Sequence, residues 1–429
     1  METTSKENRS SHDWPALIVS CLVAAVCAVD VVRYLLLGNR TAVLTVLLVG
    51  ILFTLCAFGA YLGRVYLAYG FITAAAIALF VFTNNLATTL FNGTLAFTAV
   101  VSAVGFLYGI VFLISKKLPA PRMAGVLPFV CITVILLAFA SIWGIKTRAD
   151  KAKTEASSCL WAVPSVYDGS ESTQPGTLEK LEYRTHAYAT DGREVIKNAW
   201  VYLPYGYEEG TPYDILYLLH GTGDNEEYWL KTFSYNKTMV DNLIESKAIK
   251  PLIIVTPTFY VEEDCMDNLD ALTYSFREEL RNDLMPAVEG KYSTYAEGTD
   301  EASFMESREH RAFAGLSRGA VTTLHSVFCG SLDYFAWFGT FSASRTPLSY
   351  YQEKNLQPET KDLPIRSWYV ASGNFDFGLV SQLQDYAAIT EADPRLKKGE
   401  NTTLEVYPMR YHSMGNWHLA LYNLLLRIF

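Results

Sequence analysis

Residues 311–328 decide the fold of the C-terminal part of this 429-residue chain, and they read RAFAGLSRGAVTTLHSVF. The first four residues predict a short strand, and the stretch from Ala320 to Phe328 predicts a helix. Between them lies Gly315-Leu316-Ser317-Arg318-Gly319. Small residues two before and two after a serine let the chain turn sharply from strand to helix, so that the hydroxyl projects above a sheet. Ser317 is therefore the predicted nucleophile.

A serine hydroxyl is a weak nucleophile at pH 7, so a histidine must accept its proton and a carboxylate must orient that histidine. In α/β-hydrolases both partners follow the serine along the chain, which leaves His325, His412 and His418. His325 belongs to the helix directly after Ser317, and His418 falls within the last predicted helix. His412 lies in a loop between a strand and that helix, and we therefore expect it to be the base.

The acid is expected in a loop at the carboxyl edge of the sheet, where active sites of such sheets gather. Asp376 ends the loop Ser372-Gly373-Asn374-Phe375-Asp376, directly after the predicted strand Trp368–Ala371. Asp385 and Asp393 are weaker candidates. The sequence thus predicts a triad of Ser317, Asp376 and His412.

Such a reaction also needs donors for a tetrahedral oxyanion, normally the amide after the nucleophile and one from the loop after an earlier strand. The segment Leu218-Leu219-His220-Gly221-Thr222-Gly223 fits that loop. We expect the backbone N–H groups of Thr222 and Arg318 to form the oxyanion hole, with Gly221 as an alternative donor. The side chain of His220 is expected to support the loop rather than to react.

Short apolar runs alternate with helical patterns through the C-terminal part, which indicates an α/β sheet. The expected strands are Ala199–Leu203, Ile215–Leu219, Leu252–Val255, Ala312–Ala314, Trp368–Ala371 and Leu404–Tyr407. We place this domain at residues 179–429, after a polar linker at residues 147–178.

At these residues the domain resembles the feruloyl and acetyl-xylan esterases of the esterase D-like α/β-hydrolases, a group that shares its fold with mycolyltransferases. The resemblance rests on YDILYLLHG at residues 213–221, FREELRNDLMPAVEGKYSTY at 276–295, the Ser317 motif, and His412 followed five residues later by Trp417. It implies the same triad. Arg318 replaces the methionine usual in that family, and Ala320 replaces the usual second glycine. The aromatic residues Trp229, Tyr260 and Trp417 are candidates for lining an acyl pocket.

Residues 1–146 have a different character, with five apolar stretches near residues 15–37, 41–61, 65–83, 94–115 and 123–145. Each approaches or exceeds the roughly 20 residues that span a bilayer as a helix. The sequence therefore predicts an all-α transmembrane bundle of about five helices, in contact with a lipid bilayer.

Orientation follows from the basic residues in short loops. They lie before the first span, after the second, and between the fourth and fifth: Lys6, Arg9, Arg64, Lys116, Lys117 and Arg122. With five spans, this places the N-terminus in the cytoplasm and the C-terminal domain outside the cell membrane. A basic patch after the last span argues the opposite way, and it comprises Lys146, Arg148, Lys151 and Lys153.

The charge distribution separates the two parts. The chain has a formal net charge of −9, but residues 1–150 carry ten basic and five acidic residues. An acidic C-terminal part without a basic stripe gives no support to nucleic-acid binding. We find no spacing typical of a metal site and expect neither a metal nor an organic cofactor. Cys159 and Cys265 could pair in an oxidising compartment.

The sequence therefore predicts a membrane-anchored serine ester hydrolase that acts on acyl esters, with a small-molecule or carbohydrate ester as substrate. One alternative is an extracytoplasmic acyltransferase, which would pass the acyl group to a sugar hydroxyl with the same triad. The other alternative is a membrane binding or sensory protein whose hydrolase domain is catalytically inactive.

Overall fold

A computed structural model of the chain describes residues 14–36, 40–62, 146–261 and 268–429, together with Phe71 and Ala74. The chain divides into two units, Met1–Gly144 and Ile145–Phe429. In the first unit the described helices are α1 (Trp14–Leu36) and α2 (Arg40–Tyr61). Over the described residues, the structure contains no helix whose length and apolarity would suffice to cross a membrane. The predicted spans at residues 65–83, 94–115 and 123–145 lie outside the described residues, apart from Phe71 and Ala74.

The second unit is built on one eight-stranded sheet with the order β1-β2-β4-β3-β5-β6-β7-β8. The β1–β2 and β2–β4 pairs are antiparallel, and every pair from β4 to β8 is parallel. The strands are β1 Thr177–His186, β2 Glu194–Leu203, β3 Asp214–Leu219, β4 Leu252–Thr256, β5 Arg311–Leu316, β6 Trp337–Phe341, β7 Ser367–Gly373 and β8 Thr402–Tyr407.

Helices cover both faces of this sheet. They are α3 Ser165–Asp168, α4 Tyr235–Glu245, α5 Leu269–Glu279, α6 Met285–Glu289, α7 Glu301–Glu306, α8 Arg318–Thr322, α9 Leu348–Asn355, α10 Leu379–Ala392 and α11 Met414–Leu425. π-helical turns extend three of these regions at Tyr228–Thr232, Leu280–Leu284 and Thr323–Phe328, and a 3₁₀ turn covers Arg308–His310.

The central strands are buried along their whole length because parallel strands are covered on both sides. Ile215, Tyr217 and Leu219 of β3 point into one core cluster, and Leu216 and Leu218 point into the other. Residues of α5, α9 and α10 complete the first cluster, and residues of α4 and α11 complete the second. The two clusters hold the sheet rigid, so the loops at its carboxyl edge start from fixed positions.

The predicted linker at residues 147–178 requires correction, because residues 150–176 of this segment pack on the domain as a strap. A carboxylate oxygen of Asp150 accepts hydrogen bonds from the backbone N–H of Trp161 at 2.6 Å and of Ala162 at 3.2 Å. The side chain of Asn423 in α11 bonds both the N–H and the C=O of Cys159, at 2.9 and 2.7 Å. Cys159 is a fully buried free thiol, and Cys265, its suggested partner, lies outside the described residues. Polar composition suggested a tether, but these polar groups bind the domain.

Candidate active site

Ser317 lies at the turn between β5 and α8, in a conformation that side chains rarely adopt, with φ 51° and ψ −116°. The two glycines of the motif permit this turn. A Cβ on Gly315 would lie 2.5 Å from the carbonyl carbon of Gly319, and one on Gly319 would lie 2.5 Å from the backbone oxygen of His220. Neither position tolerates a side chain. Strain of this kind is held by the surrounding structure and is typical of functional sites.

The structure brings the three predicted triad residues together. The hydroxyl of Ser317 lies 2.9 Å from Nε2 of His412, and Nδ1 of the same ring lies 2.8 Å from Oδ1 of Asp376. In the tautomer that fits both contacts, Nδ1–H donates to the carboxylate and Nε2 accepts from the serine. This leaves Nε2 free to take the serine proton, which is the arrangement of a general base beside a nucleophile.

Asp376 is fully buried in the loop after β7. Its Oδ1 also accepts a hydrogen bond from the backbone N–H of Gly378 at 2.8 Å, and its Oδ2 lies 3.4 Å from Nδ2 of Asn416. These donors hold the carboxylate in one orientation, and a buried charge requires such partners. The orientation of the imidazole therefore depends on groups from the loop after β7 and from α11.

A polar support behind the triad was missed by the sequence analysis. Nδ2 of Asn416 and Nε1 of Trp417 each donate to the hydroxyl of Ser342 at 2.8 Å. Ser342 itself has a φ of 64° in the loop after β6. The ring of Trp417 stands edge-on to His412, with centroids 5.0 Å apart. The spacing of five residues from His412 to Trp417 was the available signal, whereas nothing in the sequence singled out Ser342.

The loop after β3 runs against the nucleophile turn. A Cβ on Gly221 would lie 2.7 Å from Cδ1 of Leu316 and 3.1 Å from Cβ of Ser317. Nδ1 of His220 contacts the carbonyl oxygen of Gly221 at 2.7 Å, and its Nε2 contacts Oγ1 of Thr258 at 2.7 Å. Burial lowers the pKa of His220 to about 3, so the ring stays neutral and supports the loop. The oxyanion role of the Thr222 and Arg318 amides stays a prediction.

The model of the Esterase family matches residues 196–361, a range that contains Ser317 but ends before Asp376 and His412. Endo-1,4-beta-xylanase Y of Acetivibrio thermocellus is 40% identical over 142 residues, which is 33% of this chain and 12% of that protein. An endo-1,4-beta-xylanase/feruloyl esterase of Xylanibacter ruminicola is 32% identical over 170 residues, which is 38% of this chain and 21% of that protein. The chain thus matches only a small part of the length of either relative.

Among solved structures, the domain is similar to a serine-to-alanine mutant of the feruloyl esterase module from Clostridium thermocellum, complexed with sinapinate. The two are 29% identical with a TM-score of 0.56, and the match covers 65% of this chain and 96% of that module. These comparisons support the assignment of the domain as a serine ester hydrolase. The domain has an α/β-hydrolase sheet of the kind found in feruloyl esterases.

Arg318, which departs from the esterase motif, is paired with an acidic side chain. Its guanidinium forms a salt bridge with Asp270 of α5, and Arg345 lies 3.7 Å from the same carboxylate. Only 10% of the Arg318 side chain is exposed, against 54% for Asp270. The positive charge beside the nucleophile is therefore paired with a carboxylate of this chain.

The other candidate bases and acids make contacts away from Ser317. His325 stacks between Tyr274 and Tyr350, with centroid distances of 3.7 and 4.2 Å, and burial lowers its pKa to about 4. The other candidate histidine, His418, contacts the side chain of Asn236. Of the other candidate acids, Asp385 accepts a hydrogen bond from the backbone N–H of Thr346, and Asp393 forms a salt bridge with Arg395. None of these three side chains is hydrogen-bonded to Ser317, His412 or Asp376 in the contacts described.

Two of the aromatic residues that were candidates for an acyl pocket, Trp229 and Tyr260, lie in different surroundings. Trp229 is fully buried, and its Nε1–H donates to the carbonyl of Leu219 at 3.1 Å, so it supports β3 rather than facing substrate. The hydroxyl of Tyr260 accepts a hydrogen bond from the N–H of Gly223 at 3.0 Å and so borders the oxyanion loop. Within the described residues, no group of three or more His, Cys, Asp and Glu side chains is arranged to hold a metal ion.

Proposed function

We propose that this chain is a serine carboxylic ester hydrolase that acts on acyl esters of carbohydrates and is held at a membrane by its N-terminal residues. The contacts from Ser317 through His412 to Asp376, at 2.9 and 2.8 Å, carry the catalytic part of this proposal. The carbohydrate part rests on the relatives, one of which is named a xylanase/feruloyl esterase.

In the proposed mechanism, Oγ of Ser317 attacks the ester carbonyl while Nε2 of His412 takes its proton. The N–H groups of Thr222 and Arg318 stabilise the oxyanion of the tetrahedral intermediate. The intermediate then collapses. The ester C–O bond breaks while His412 gives its proton to the leaving oxygen, so the alcohol departs and an acyl-serine ester remains. Water then attacks the acyl-enzyme with His412 as base, which releases the acid and restores Ser317. Asp376 orients the imidazole and stabilises its cation.

The test uses the full chain with methyl ferulate and p-nitrophenyl acetate as substrates. Ser317→Ala is expected to reduce kcat by at least about 10⁴-fold, because the nucleophile is lost. The matched control is Ser349→Ala, an exposed serine of α9, which should keep wild-type rates. Equal rates for wild type and Ser317→Ala would overturn the assignment and favour the catalytically inactive alternative. Product analysis with an added sugar acceptor separates hydrolysis from acyl transfer.

Membrane attachment is supported by the apolar composition of the N-terminal sequence, and the basic residues of its loops favour a catalytic domain outside the cell membrane. The patch that argued against this orientation is partly engaged within the domain, because Lys153 donates to the carbonyl of Ser158 at 3.0 Å and lies 3.5 Å from Asp150. Protease added to intact cells or spheroplasts should remove the catalytic domain while leaving a membrane-bound N-terminal fragment. Full protection of the domain would overturn the orientation, and extraction of the chain by alkaline carbonate would overturn the attachment.

A further inference from the structure

The position of His412 identifies the side of the site that faces the alcohol of an ester. This histidine protonates the leaving oxygen, so in the reactive complex the alcohol must lie next to Nε2. Exposed side chains that border the imidazole can therefore contact the alcohol part of the substrate.

Phe377 is the first such side chain. Its ring lies over that of His412 with centroids 3.9 Å apart and an interplanar angle of 31°. The residue is nevertheless 54% exposed, so one part of the ring remains open to solvent beside the base. An exposed aromatic ring at a reactive centre is a candidate contact surface. Its electron-rich face suits the C–H groups of a sugar ring.

Asp224, on the loop after β3, is a second group close to the reaction centre. Its Oδ2 lies 3.2 Å from the point where a Cβ on Gly221 would stand, and that same point is 3.1 Å from Cβ of Ser317. The carboxyl is therefore beside the nucleophile, on the loop that carries the predicted oxyanion donor. Burial raises its pKa to about 6, while the N–H of Gly221 and the charge of His412 act in the opposite direction. Tyr228 interacts electrostatically with Asp224, and its ring centroid lies 6.4 Å from that of Trp417.

An ionised carboxylate is acceptor-only and offers two oxygens, which suits neighbouring hydroxyl groups. An aromatic face beside the base and a carboxylate beside the nucleophile together fit a ring that has apolar C–H faces and an edge of hydroxyls. A simple methyl or ethyl alcohol would use neither group.

We propose that Asp224 and Phe377 form an alcohol subsite that selects esters of sugars over esters of simple alcohols. Asp224 accepts hydrogen bonds from hydroxyls of the leaving sugar, and Phe377 packs against its ring. This inference rests on the proposed ester hydrolysis and adds the recognition of the alcohol to it.

The experiment compares two esters with the same acyl group, methyl ferulate and a feruloylated arabinose, using the full chain. Asp224→Asn and Phe377→Ala are each expected to lower kcat/KM for the sugar ester by about tenfold, since each removes one recognition contact. For methyl ferulate the change should stay within about threefold by the same reasoning. Phe377→Tyr keeps the aromatic face and should restore the preference. Glu227→Gln, in the same loop but paired with Lys231 at 2.6 Å, is the matched control and should preserve both rates.

The outcomes are distinguishable. An equal loss on both esters would overturn the subsite and assign Asp224 to holding the Gly221 loop for all substrates. Unchanged rates on both esters in correctly folded variants would also overturn it, as would a wild type with no preference between the two esters. If wild type fails to hydrolyse methyl ferulate in a Ser317-dependent manner, the proposed function itself fails, and that result is independent of the ratio between the esters.

Discussion

Asp376 is the residue on which the orientation of His412 depends. Asp376→Asn keeps the shape of the side chain but replaces an acceptor for Nδ1–H by a group that can favour the wrong tautomer. We expect kcat to fall by about 10⁴-fold with little change in KM, because substrate contacts remain. Steady-state kinetics on p-nitrophenyl acetate would measure this, with circular dichroism as the control for folding. A loss of less than tenfold would contradict the role of Asp376 in the triad.

The ionised carboxylate of Asp224 should lower the free energy of unfolding. Its pKa is about 6 in the folded chain against an ordinary value of 3.8, so the native state binds the proton more tightly than the unfolded state. Stability therefore falls as pH rises from about 4 through 6, and the loss persists above pH 6. Asp224→Asn lacks this titration.

Thermal unfolding of wild type and Asp224→Asn at several pH values tests this sign. The variant should gain Tm relative to wild type at pH 7.5 and show a smaller difference at pH 4.5. A difference between the two proteins that does not vary with pH would show that ionisation of Asp224 does not oppose folding.

Sequence reasoning at this scale reached residues whose roles follow from chain order and flanking elements. Ser317, Asp376 and His412 were chosen that way, and the structure brings them together. Ser342 and Asp224 could not be found similarly, because a serine or aspartate in a loop is ordinary and only the tertiary fold brings it to the site.

The turn from β5 to α8 is the element most sensitive to small changes. Gly319→Ala would place a Cβ 2.5 Å from the backbone oxygen of His220, and backbone cannot move away as a flexible side chain can. We expect the free energy of unfolding to fall by about 3 kcal/mol or more.

Gly206→Ala is the matched control. Gly206 has a φ of 71° but open space around its Cβ position, so only conformational strain of about 1 kcal/mol is expected. Urea denaturation measures both variants. Equal destabilisation would show that the crowding between Gly319 and the His220 loop is unimportant.

The elements themselves were predicted unevenly. All six expected strands exist, because short apolar or β-branched runs between turn residues are a strong signal. The missed strands were β1, an antiparallel strand in which charged residues alternate with buried Leu181 and Tyr183, and β6, which contains Gly339. A Cβ on Gly339 would lie 2.9 Å from both Ala314 and Leu424, so this glycine allows close packing inside a strand instead of marking a turn.

Across the whole second unit, the strap at residues 150–176 ties the start of the domain to its last helix. Asn423→Ala would leave the buried N–H of Cys159 without this acceptor and its C=O without this donor. We expect a loss of about 2 kcal/mol in the free energy of unfolding, since buried polar groups left unsatisfied are costly. Chemical denaturation measures it, and unchanged stability would show that the strap contributes little to the fold.

The boundary of this unit could not be predicted from composition alone. Hydropathy separated the apolar N-terminal sequence near Lys146, close to the division at Gly144 and Ile145 in the structure. The same criterion misread the polar strap as a linker, because composition does not show which polar groups find partners such as Asn423.

The contacts of the strap also bring the two ends of the catalytic domain to one place. Arg427, two residues before the end of the chain, donates to Oγ of Ser158 at 3.0 Å, beside the Cys159–Asn423 pair. A protein fused after Phe429 would therefore emerge at the same corner as the segment that enters through residue 158. For the same reason, the domain suits circular permutation, in which a short linker closes these ends and new ends open at the exposed β1–β2 turn around Gly192.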